Sequence, residues 1–379
     1  MKVLIAIDSF KGSLSSVESS DVIFSAIKSV YPDAEIISFP LADGGEGTVE
    51  SIVHAVGGNI VSLNITGPLT EKIEGNYGIL QDGKTAIIEI AEACGLPLLS
   101  NDQLNPLKAT SYGVGEIILD AIKKGCKEFI IGLGGSATND AGIGMLQALG
   151  FQFLDNNNQE VDFGGSALHD IKKINLNKVN KALQDCTFKI ACDVNNQLTG
   201  KNGATYVFGP QKGATPEIVD YLDKGMIQFT KLVEEQLGFN IDNISGGGAA
   251  GGLGSAFSGF LNGTLQSGID LILQTINLEK HIQGSDYVIT GEGKLDKQTT
   301  MGKVPVGVAR LAAEKKIPVI ALAGYITDEI EVLNDHHITS CISIMNKPMS
   351  VNEAMKPDNT KKNLAITTNQ LFRLIKKIT

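Results

Sequence analysis

An α/β fold with a doubly wound parallel sheet is predicted by three features of this 379-residue sequence. The beginning alternates strand and helix patterns, with strands at Lys2 to Ile7 and Glu35 to Phe39 and helices at Ser16 to Val30 and Glu46 to Ala55. The same alternation returns near Asp286 and closes on a helix at Lys361 to Ile378. Glycine is frequent, with 43 residues, and several glycines follow apolar runs, as at the strand-to-helix turns of α/β proteins.

The middle of the chain has a different pattern. From Asn59 to Ala91, short alternating segments are separated by turn signals, which predicts an antiparallel meander. Further elements are predicted at Val114 to Lys123 (helix), Glu128 to Leu133 (strand), Asp140 to Leu149 (helix), Phe151 to Leu154 (strand), Thr187 to Val194 (strand) and Pro216 to Leu237 (helix). We therefore expect a discontinuous flavodoxin- or Rossmann-like domain of residues 1–60 and 285–379. A second α/β domain, residues 61–284, is inserted into it, with the active site in the cleft between them.

The charge balance argues against two classes of partner. The formal net charge is -10, whereas binding to nucleic acid or to an anionic membrane needs a basic surface. Among 32 basic residues only Arg310 and Arg373 are arginines, so anions must be bound by lysines or by backbone N–H groups. We therefore expect a small-molecule substrate, with no nucleic acid and no membrane as partner.

The five cysteines indicate a reduced, cytoplasmic protein. They are widely spaced, form no C-x-x-C pair and are odd in number. The sequence begins directly on a strand pattern, MKVLIAIDSF, without the apolar region of a secretion signal. The oligomeric state is not fixed by the sequence, and a homodimer is one alternative.

Five glycine-rich corners mark the positions where ligands bind in open α/β sheets, beyond the carboxyl ends of the strands. They are IDSFKGS (Ile7 to Ser13), LADGGEGT (Leu41 to Thr48), GLGGSATND (Gly132 to Asp140), GGGAAGGLG (Gly246 to Gly254) and TGEGKLDKQTTMGK (Thr290 to Lys303). A single corner of this kind is more often a packing solution than a ligand site. Four of the five carry Asp or Glu and two carry Lys, and together they predict a phosphate-handling cleft.

The corner at Gly132 leaves another class of enzyme open. It spells G-x-G-x-x-A through Gly132, Gly134 and Ala137, and Asp155 ends the next predicted strand. That is the outline of the dinucleotide-binding fingerprint. An NAD(P)-dependent oxidoreductase acting on a small hydroxy acid is therefore an alternative.

Other chemistries lack the residues they need. A Walker A loop would require glycine and Ser or Thr where the chain has Lys297 and Val304. No G-x-S-x-G and no H-E-x-x-H occur, which argues against a hydrolase nucleophile elbow and a zinc protease. Loop Asp and Lys residues are abundant, and these are the ligands for magnesium and the point charges for phosphate.

With these segments lined up, the chain resembles the glycerate kinase family of the bacterial two-domain type over nearly its whole length. The motifs that carry the resemblance are DSFKGSLS, ADGGEGT, NITGPL, GGSATNDAGIGMLQALG, GGSAL, ACDV, FGPQKGA, GAAGGLG and TGEGKLDKQTTMGKVPVGVA. The resemblance implies ATP-dependent phosphorylation of D-glycerate with Mg²⁺, mainly at the 2-hydroxyl group, to give 2-phosphoglycerate. A non-catalytic nucleotide-binding sensor is a third alternative.

One segment departs from the family's pattern. After ACDV the family usually continues with Asn-Pro-Leu-x-Gly, whereas this chain continues with Asn195, Asn196, Gln197 and Leu198. A rigid turn is thereby lost beside Asp193, so the placement of Asp193 is an open question.

Phosphoryl transfer needs positioned charges and a group that orients the attacking hydroxyl. Asp193, at the end of the strand pattern KIACDV, is predicted to be the base or a metal ligand, and Lys11 is predicted to pair with phosphate or carboxylate. The predicted substrate-binding residues are Asp8, Asp43, Gly44, Gly45, Ser136, Thr138, Asn139 and Asp140. The last four stand at a predicted helix start, where N–H groups and the helix dipole favour an anion.

A second set of residues is predicted to bind the nucleotide and its metal. The nucleotide-binding residues are Gly247, Gly248, Gly251, Gly252, Gly291, Gly293, Lys294 and Lys303. Glu292 and Asp296 are predicted to hold Mg²⁺, directly or through water, together with Asp193. Asp296 is also assigned to catalysis. For the glycines between 247 and 252, tight packing against a helix is the competing interpretation.

Overall fold

A computed structural model describes residues 1–328 and 330–378. The strands are β1 (Lys2–Ile7), β2 (Glu35–Pro40), β3 (Gly58–Thr66), β4 (Lys72–Leu80), β5 (Thr85–Glu89), β6 (Glu128–Gly132), β7 (Gln152–Leu154), β8 (Lys173–Asn175), β9 (Thr187–Ala191), β10 (Thr264–Gln266), β11 (Tyr287–Leu295), β12 (Val319–Ile326) and β13 (Ser340–Ser343).

The α-helices connect these strands. They are α1 (Ser16–Val30), α2 (Thr48–Val56), α3 (Ala91–Cys94), α4 (Tyr112–Lys123), α5 (Ile143–Ala148), α6 (Ala204–Phe208), α7 (Pro216–Leu237), α8 (Leu253–Leu261), α9 (Gly268–Thr275), α10 (Leu278–Ile282), α11 (Val304–Glu314), α12 (Glu331–Asp335), α13 (Val351–Ala354) and α14 (Pro357–Ile378). Within the described ranges, no helix combines the length and the apolar character that a membrane crossing requires.

The chain divides into two compact units. Unit 1 contains Met1–Asp43, Glu50–Gly57 and the chain from Ile269 onward, and unit 2 contains Gly44–Val49 and Gly58–Gly268. The sequence placed the domain boundaries after residues 60 and 284, and those boundaries stay a prediction. The predicted α/β fold class with parallel sheets is confirmed.

Unit 1 is built on a five-stranded parallel sheet in the order β13-β12-β11-β1-β2. Counted along the chain within this unit, the order is 2-1-3-4-5, which is the flavodoxin-like arrangement. Helix α1 begins where Ser15 and Glu18 form a capping box and lies beside α14. The core joins apolar residues of β1, such as Val3 and Ile5, to Phe372 of α14.

Unit 2 is built on a six-stranded sheet in the order β10-β9-β6-β5-β4-β3. The strands β3, β4 and β5 pair antiparallel, which confirms the predicted meander, and β5, β6, β9 and β10 are parallel. Strands β7 and β8 form a separate antiparallel pair. The core contains a set of aromatic rings, among them Phe153 and Phe229 at 5.6 Å between centroids.

Several predicted element bounds differ from the structure by a few residues, and two of the differences lie at glycine-rich corners. Strand β11 continues through Gly291 and Gly293 to Leu295 instead of turning there, because it pairs with β12 over its length. Helix α5 begins at Ile143 and not at Asp140, because Ala141 and Gly142 have left-handed φ values of 51° and 74°. Because α5 does not begin at Asp140, a helix N-terminus cannot be the reason for anion binding by the loop Ser136–Asp140.

Candidate active site

In unit 1, the candidate site lies where the sheet order reverses, between β1 and β11, which is the ligand-binding position of this topology. The Asp8 N–H donates to the Gly291 carbonyl oxygen at 3.0 Å, just beyond the end of β1. A Cβ at Gly293 would lie 3.4 Å from the backbone nitrogen of Lys11. The loop after β1 and the glycine-rich part of β11 are therefore neighbours.

Acidic and basic side chains converge at this position, and we call Asp8, Lys11, Asp43, Glu292 and Lys303 the unit 1 corner. Burial raises the pKa of Asp8 to about 7, and the charges of Asp43 and Glu292 add to the increase while Lys11 opposes it. The Lys11 ammonium lies 3.9 Å from an oxygen of Asp43, and its side chain is 70% exposed. The corner therefore joins a buried acid to an exposed, solvent-accessible cation.

Glu292 is the best-anchored acid of the unit 1 corner. Its carboxylate accepts from the Thr299 hydroxyl at 2.6 Å and from the Lys303 ammonium at 3.1 Å. Burial raises the pKa of Glu292, while Thr299 and Lys303 oppose the increase. Any cation bound by Glu292 would have to displace Lys303 or share its oxygen.

Asp296 has a different environment from Glu292. It caps the short turn Lys297–Met301, where its side chain accepts from the Gln298 N–H at 2.8 Å. The Lys294 ammonium lies 2.8 Å from its other oxygen, and the hydrogen bond from Lys294 is the main reason that the pKa of Asp296 is lowered. The two lysines predicted to bind the nucleotide thus have different partners, with Lys294 on Asp296 and Lys303 on Glu292.

Asp8→Asn tests the buried charge of the unit 1 corner. The native pKa of Asp8 is about 7 against an ordinary 3.8, so between these pH values folded Asp8 keeps a proton that the unfolded chain has lost. The free energy of unfolding therefore falls as pH rises through this window, by on the order of 4 kcal/mol at most. The introduced asparagine imitates the protonated form, so urea unfolding should show the variant equal to wild type near pH 4 and more stable at pH 8.

The exposed residue Asp21 in the same unit provides the control for this experiment. Asp21→Asn makes the same chemical change at the surface, and its unfolding is measured over the same pH range. Parallel curves for Asp8→Asn and wild type from pH 4 to 8 would contradict a raised pKa at Asp8.

In unit 2, the segment Gly44–Val49 crosses the carboxyl ends of three parallel strands. A Cβ at Gly44 would lie 2.6 Å from the Ala191 Cβ at the end of β9, and a Cβ at Gly132, at the end of β6, would lie 2.3 Å from the Gly44 oxygen. Gly44 also has a left-handed φ of 94°. The glycines at these positions allow backbone to lie directly on the strand ends.

Glu89, which was not among the predicted site residues, holds this segment in place. It ends β5, is 7% exposed, and accepts from the Gly47 N–H at 3.2 Å and the Val49 N–H at 2.7 Å. Burial raises its pKa to about 7. An acid at the end of an apolar strand pattern was the sequence signal that could have found it, because the same rule selected Asp8 and Asp193.

Asp193 lies at the same edge of the unit 2 sheet, two residues after β9. Its side chain is exposed, and Oδ1 accepts from the Gly268 N–H at 2.9 Å. The proline-free turn that follows is held by Asn196, whose side chain donates to the Asn202 oxygen at 2.7 Å and whose own oxygen accepts from Gly248. Asp193 is therefore held by Gly268, and hydrogen bonds of Asn196 hold the following turn at the position where the family's pattern has a proline.

The loop from Ser136 to Asp140 is buried, with Ser136 at 5% exposure and the other three predicted binding residues at 0%. The Asp140 carboxylate accepts from the N–H and hydroxyl of Ser111 at 2.9 and 2.8 Å. The Asn139 amide donates to the Thr205 hydroxyl at 2.9 Å. Direct contact of Asp140 or Asn139 with a substrate would require these bonds to open, whereas Ser136 lies closest to the surface.

The glycines between 247 and 252 are packed against other backbone. A Cβ would lie 2.2 Å from the Gln197 oxygen if placed at Gly248, 2.0 Å from the Thr138 oxygen at Gly251, and 2.5 Å from the Ala141 Cα at Gly252. These contacts account for the glycines without a ligand, which supports the packing interpretation. Their role in nucleotide binding stays a prediction.

Comparing Gly251→Ala with Gly238→Ala separates two reasons for a glycine at position 251, namely close packing and a left-handed backbone. Both glycines have left-handed φ values, 67° and 79°, but nothing lies within 4 Å of a Cβ at Gly238. We expect Gly238→Ala to lower the free energy of unfolding by about 1–2 kcal/mol and Gly251→Ala by about 3 kcal/mol or more, because the Thr138 oxygen must also move. Urea unfolding without ligand measures both. Equal losses would show that the loop at Thr138 does not constrain Gly251.

The carboxylates of the unit 1 corner are of the type that could help to hold magnesium if a nucleotide supplied further ligands. Residues 1–328 and 330–378 contain no cluster of three or more His, Cys, Asp or Glu side chains able to hold a metal by themselves. Magnesium at nucleotide sites is commonly held by one or two carboxylates together with phosphates and water. The repulsion that Asp43 and Glu292 exert on Asp8 is a charge imbalance that a divalent cation would relieve.

The dinucleotide-binding alternative does not agree with the geometry. Gly132 and Gly134 are occupied by the backbone of Gly44 and Gly45, since a Cβ at Gly134 would lie 2.8 Å from the Gly45 Cα. Asp155 follows β7, which pairs with β8 in the separate two-stranded sheet. Asp155 is thus not at the end of a neighbouring parallel strand, where the fingerprint places its ribose-binding acid.

Comparisons with known proteins agree with one another. The model of the Glycerate kinase family matches residues 3–376. A glycerate 2-kinase of Escherichia coli strain K12 is 44% identical over 356 residues, or 94% of this chain and 93% of that protein. A glycerate kinase of Haemophilus influenzae is 44% identical over 375 residues, or 99% of each chain. A Salmonella typhimurium LT2 crystal structure, provisionally assigned as glycerate kinase 2, gives a TM-score of 0.89 at 40% identity and covers 100% of this chain and 98% of that one.

Proposed function

Because the chain belongs to the glycerate kinase family, and is therefore a kinase, we propose that it transfers the γ-phosphoryl group of ATP to the 2-hydroxyl group of D-glycerate. The products are 2-phosphoglycerate and ADP. The observation that carries the proposal is the unit 1 corner, where acids and lysines meet at the β1–β11 reversal of the sheet. Such a position supplies the charges that phosphoryl transfer needs.

Each predicted site residue has a separate role in the proposed phosphoryl transfer. Asp193, fixed by Gly268, accepts the proton of the attacking hydroxyl as its oxygen forms a bond to the γ-phosphorus and the bond from phosphorus to the ADP oxygen breaks. Lys11, whose side chain is exposed, neutralises phosphate or substrate charge. The carboxylates of Glu292 and Asp296 would hold magnesium, which supplies charge neutralisation on the phosphates when bound. Electrostatic stabilisation of this kind is the main catalytic contribution in phosphoryl transfer.

The proposed function is tested by an assay for ADP release and a phosphorus NMR spectrum of the product. Purified protein with ATP, MgCl₂ and D-glycerate should release ADP, and phosphorus NMR should show the 2-phospho ester. L-glycerate and ATP without an acceptor serve as controls and should give little ADP. A 3-phospho product would contradict the assignment of the 2-hydroxyl. ATP binding with no transfer to D-glycerate would contradict the kinase activity proposed here and favour a nucleotide sensor.

A further inference from the structure

Lys212 is the one lysine that is buried among the residues the structure describes, with 1% of its surface exposed. It ends the short turn Pro210–Lys212 in the FGPQKGA motif. Its ammonium donates to the Ser136 hydroxyl at 2.9 Å and to the backbone oxygen of Thr138 at 2.6 Å. Lysine is rarely buried, because desolvating an ammonium is costly unless specific partners compensate. The two partners here belong to one loop.

The charge of Lys212 is retained in this buried position. Burial lowers the pKa of Lys212 to about 8, while the neighbouring Cys94 and Asp140 oppose the decrease. The ammonium is therefore mostly protonated at pH 7. It has three donors, and two of them reach acceptors within the described part of the chain. A positive charge with spare donor capacity thus lies beneath the loop.

The two ends of the same loop are held by other contacts. The Ala137 N–H donates to the Cys94 oxygen at 2.8 Å, and the Ala141 N–H donates to the Gly251 oxygen at 2.9 Å. Lys212 is bonded to Ser136 and Thr138, the residues on either side of Ala137. Helix α5 has only six residues and supplies little dipole, whereas the Lys212 ammonium is a charged donor bonded directly to this loop.

We propose that Lys212 is a positioning residue that fixes the loop Ser136–Asp140 and gives it the positive potential that attracts the carboxylate of the acid substrate. This inference rests on the proposed function, because it takes D-glycerate as the acid. One buried charge suits a single carboxylate. A magnesium-bound triphosphate needs several cations, and Lys11, Lys294 and Lys303 supply them in unit 1.

The experiment compares Lys212→Met with Val233→Ala and wild type. Methionine keeps the length of the side chain and removes the charge, and Val233→Ala removes buried methyl groups of α7 in the same unit. We expect Lys212→Met to raise KM for D-glycerate at least ~10-fold, since hydrogen bonds to charged groups are worth about that factor, with KM for ATP changed less than about threefold. Val233→Ala should reduce stability and leave both KM values near wild type.

The outcomes decide between a positioning and a merely structural role. Unchanged KM for D-glycerate in folded Lys212→Met, an equal rise of both KM values, or a rise for ATP alone would overturn the proposal. Deuterium uptake of residues 134–142 without ligand should increase in Lys212→Met, and unchanged uptake would also overturn it. If wild type does not phosphorylate D-glycerate, the proposed function fails while the uptake measurement still decides whether Lys212 holds the loop.

Discussion

Asp193→Asn is expected to lower kcat by about 10²–10⁴-fold, the usual contribution of a positioned general base. Asp193 Oδ1 accepts from the Gly268 N–H at 2.9 Å, and the asparagine oxygen can accept the same bond. The variant therefore removes the charge and basicity of residue 193 while keeping its anchor. Steady-state turnover of ATP and D-glycerate measures the loss, and urea unfolding checks that stability is retained.

Asp82→Asn provides the matched control for Asp193→Asn. Asp82 is an exposed loop residue of the same unit, and its Oδ1 accepts from the Lys84 N–H at 2.8 Å. This variant loses the same charge in a similar setting and should keep wild-type turnover. A kcat for Asp193→Asn within about threefold of wild type would remove Asp193 from the mechanism.

Lys11→Met should lower kcat/KM by about 10²–10³-fold, the loss typical of removing one group that stabilises developing charge. The Lys11 ammonium lies at the sheet reversal, 3.9 Å from Asp43, and is 70% exposed, so the fold does not depend on it. Methionine retains the aliphatic part of the side chain. Turnover at varied ATP and D-glycerate would show which substrate the charge serves.

Lys315→Met is the control for Lys11→Met. Lys315 is an exposed lysine of the same unit whose ammonium lies 3.3 Å from a Glu279 oxygen, so it has the same type of surface ion pair. Such pairs contribute little to stability, and both variants should unfold at nearly the wild-type urea concentration. The proposal for Lys11 fails if the two variants have equal kcat/KM.

The predictions from sequence were most accurate where local patterns determine the structure. Helices Ser16–Val30 and Pro216–Leu237 and strand Lys2–Ile7 have the predicted bounds. Both helices are preceded by an N-cap residue, Ser15 or Thr215, and Gly238 is the C-cap of the second helix. Caps and amphipathic periods are local signals, so the residues that carry them lie next to the element they define.

The candidate site was only partly accessible from the sequence. The rule that ligands bind beyond strand ends selected Asp8 and Asp193, which lie one and two residues beyond the ends of β1 and β9. It could not show that Glu292 and Asp296 have different lysine partners, or that Lys212 is buried. From sequence a lysine is expected to be exposed, and the contacts with Ser136 and Thr138, 76 and 74 residues away, explain the exception.

The sequence by itself determined the α/β class, the alternation of elements and the supply of loop acids and lysines, because these depend on composition and short-range periodicity. The tertiary structure decided which of those groups meet. Glu89 binds the N–H groups of Gly47 and Val49 from 42 and 40 residues away, and Lys212 bonds the loop at Ser136. Such pairings depend on strand order and backbone approach, which no local pattern encodes.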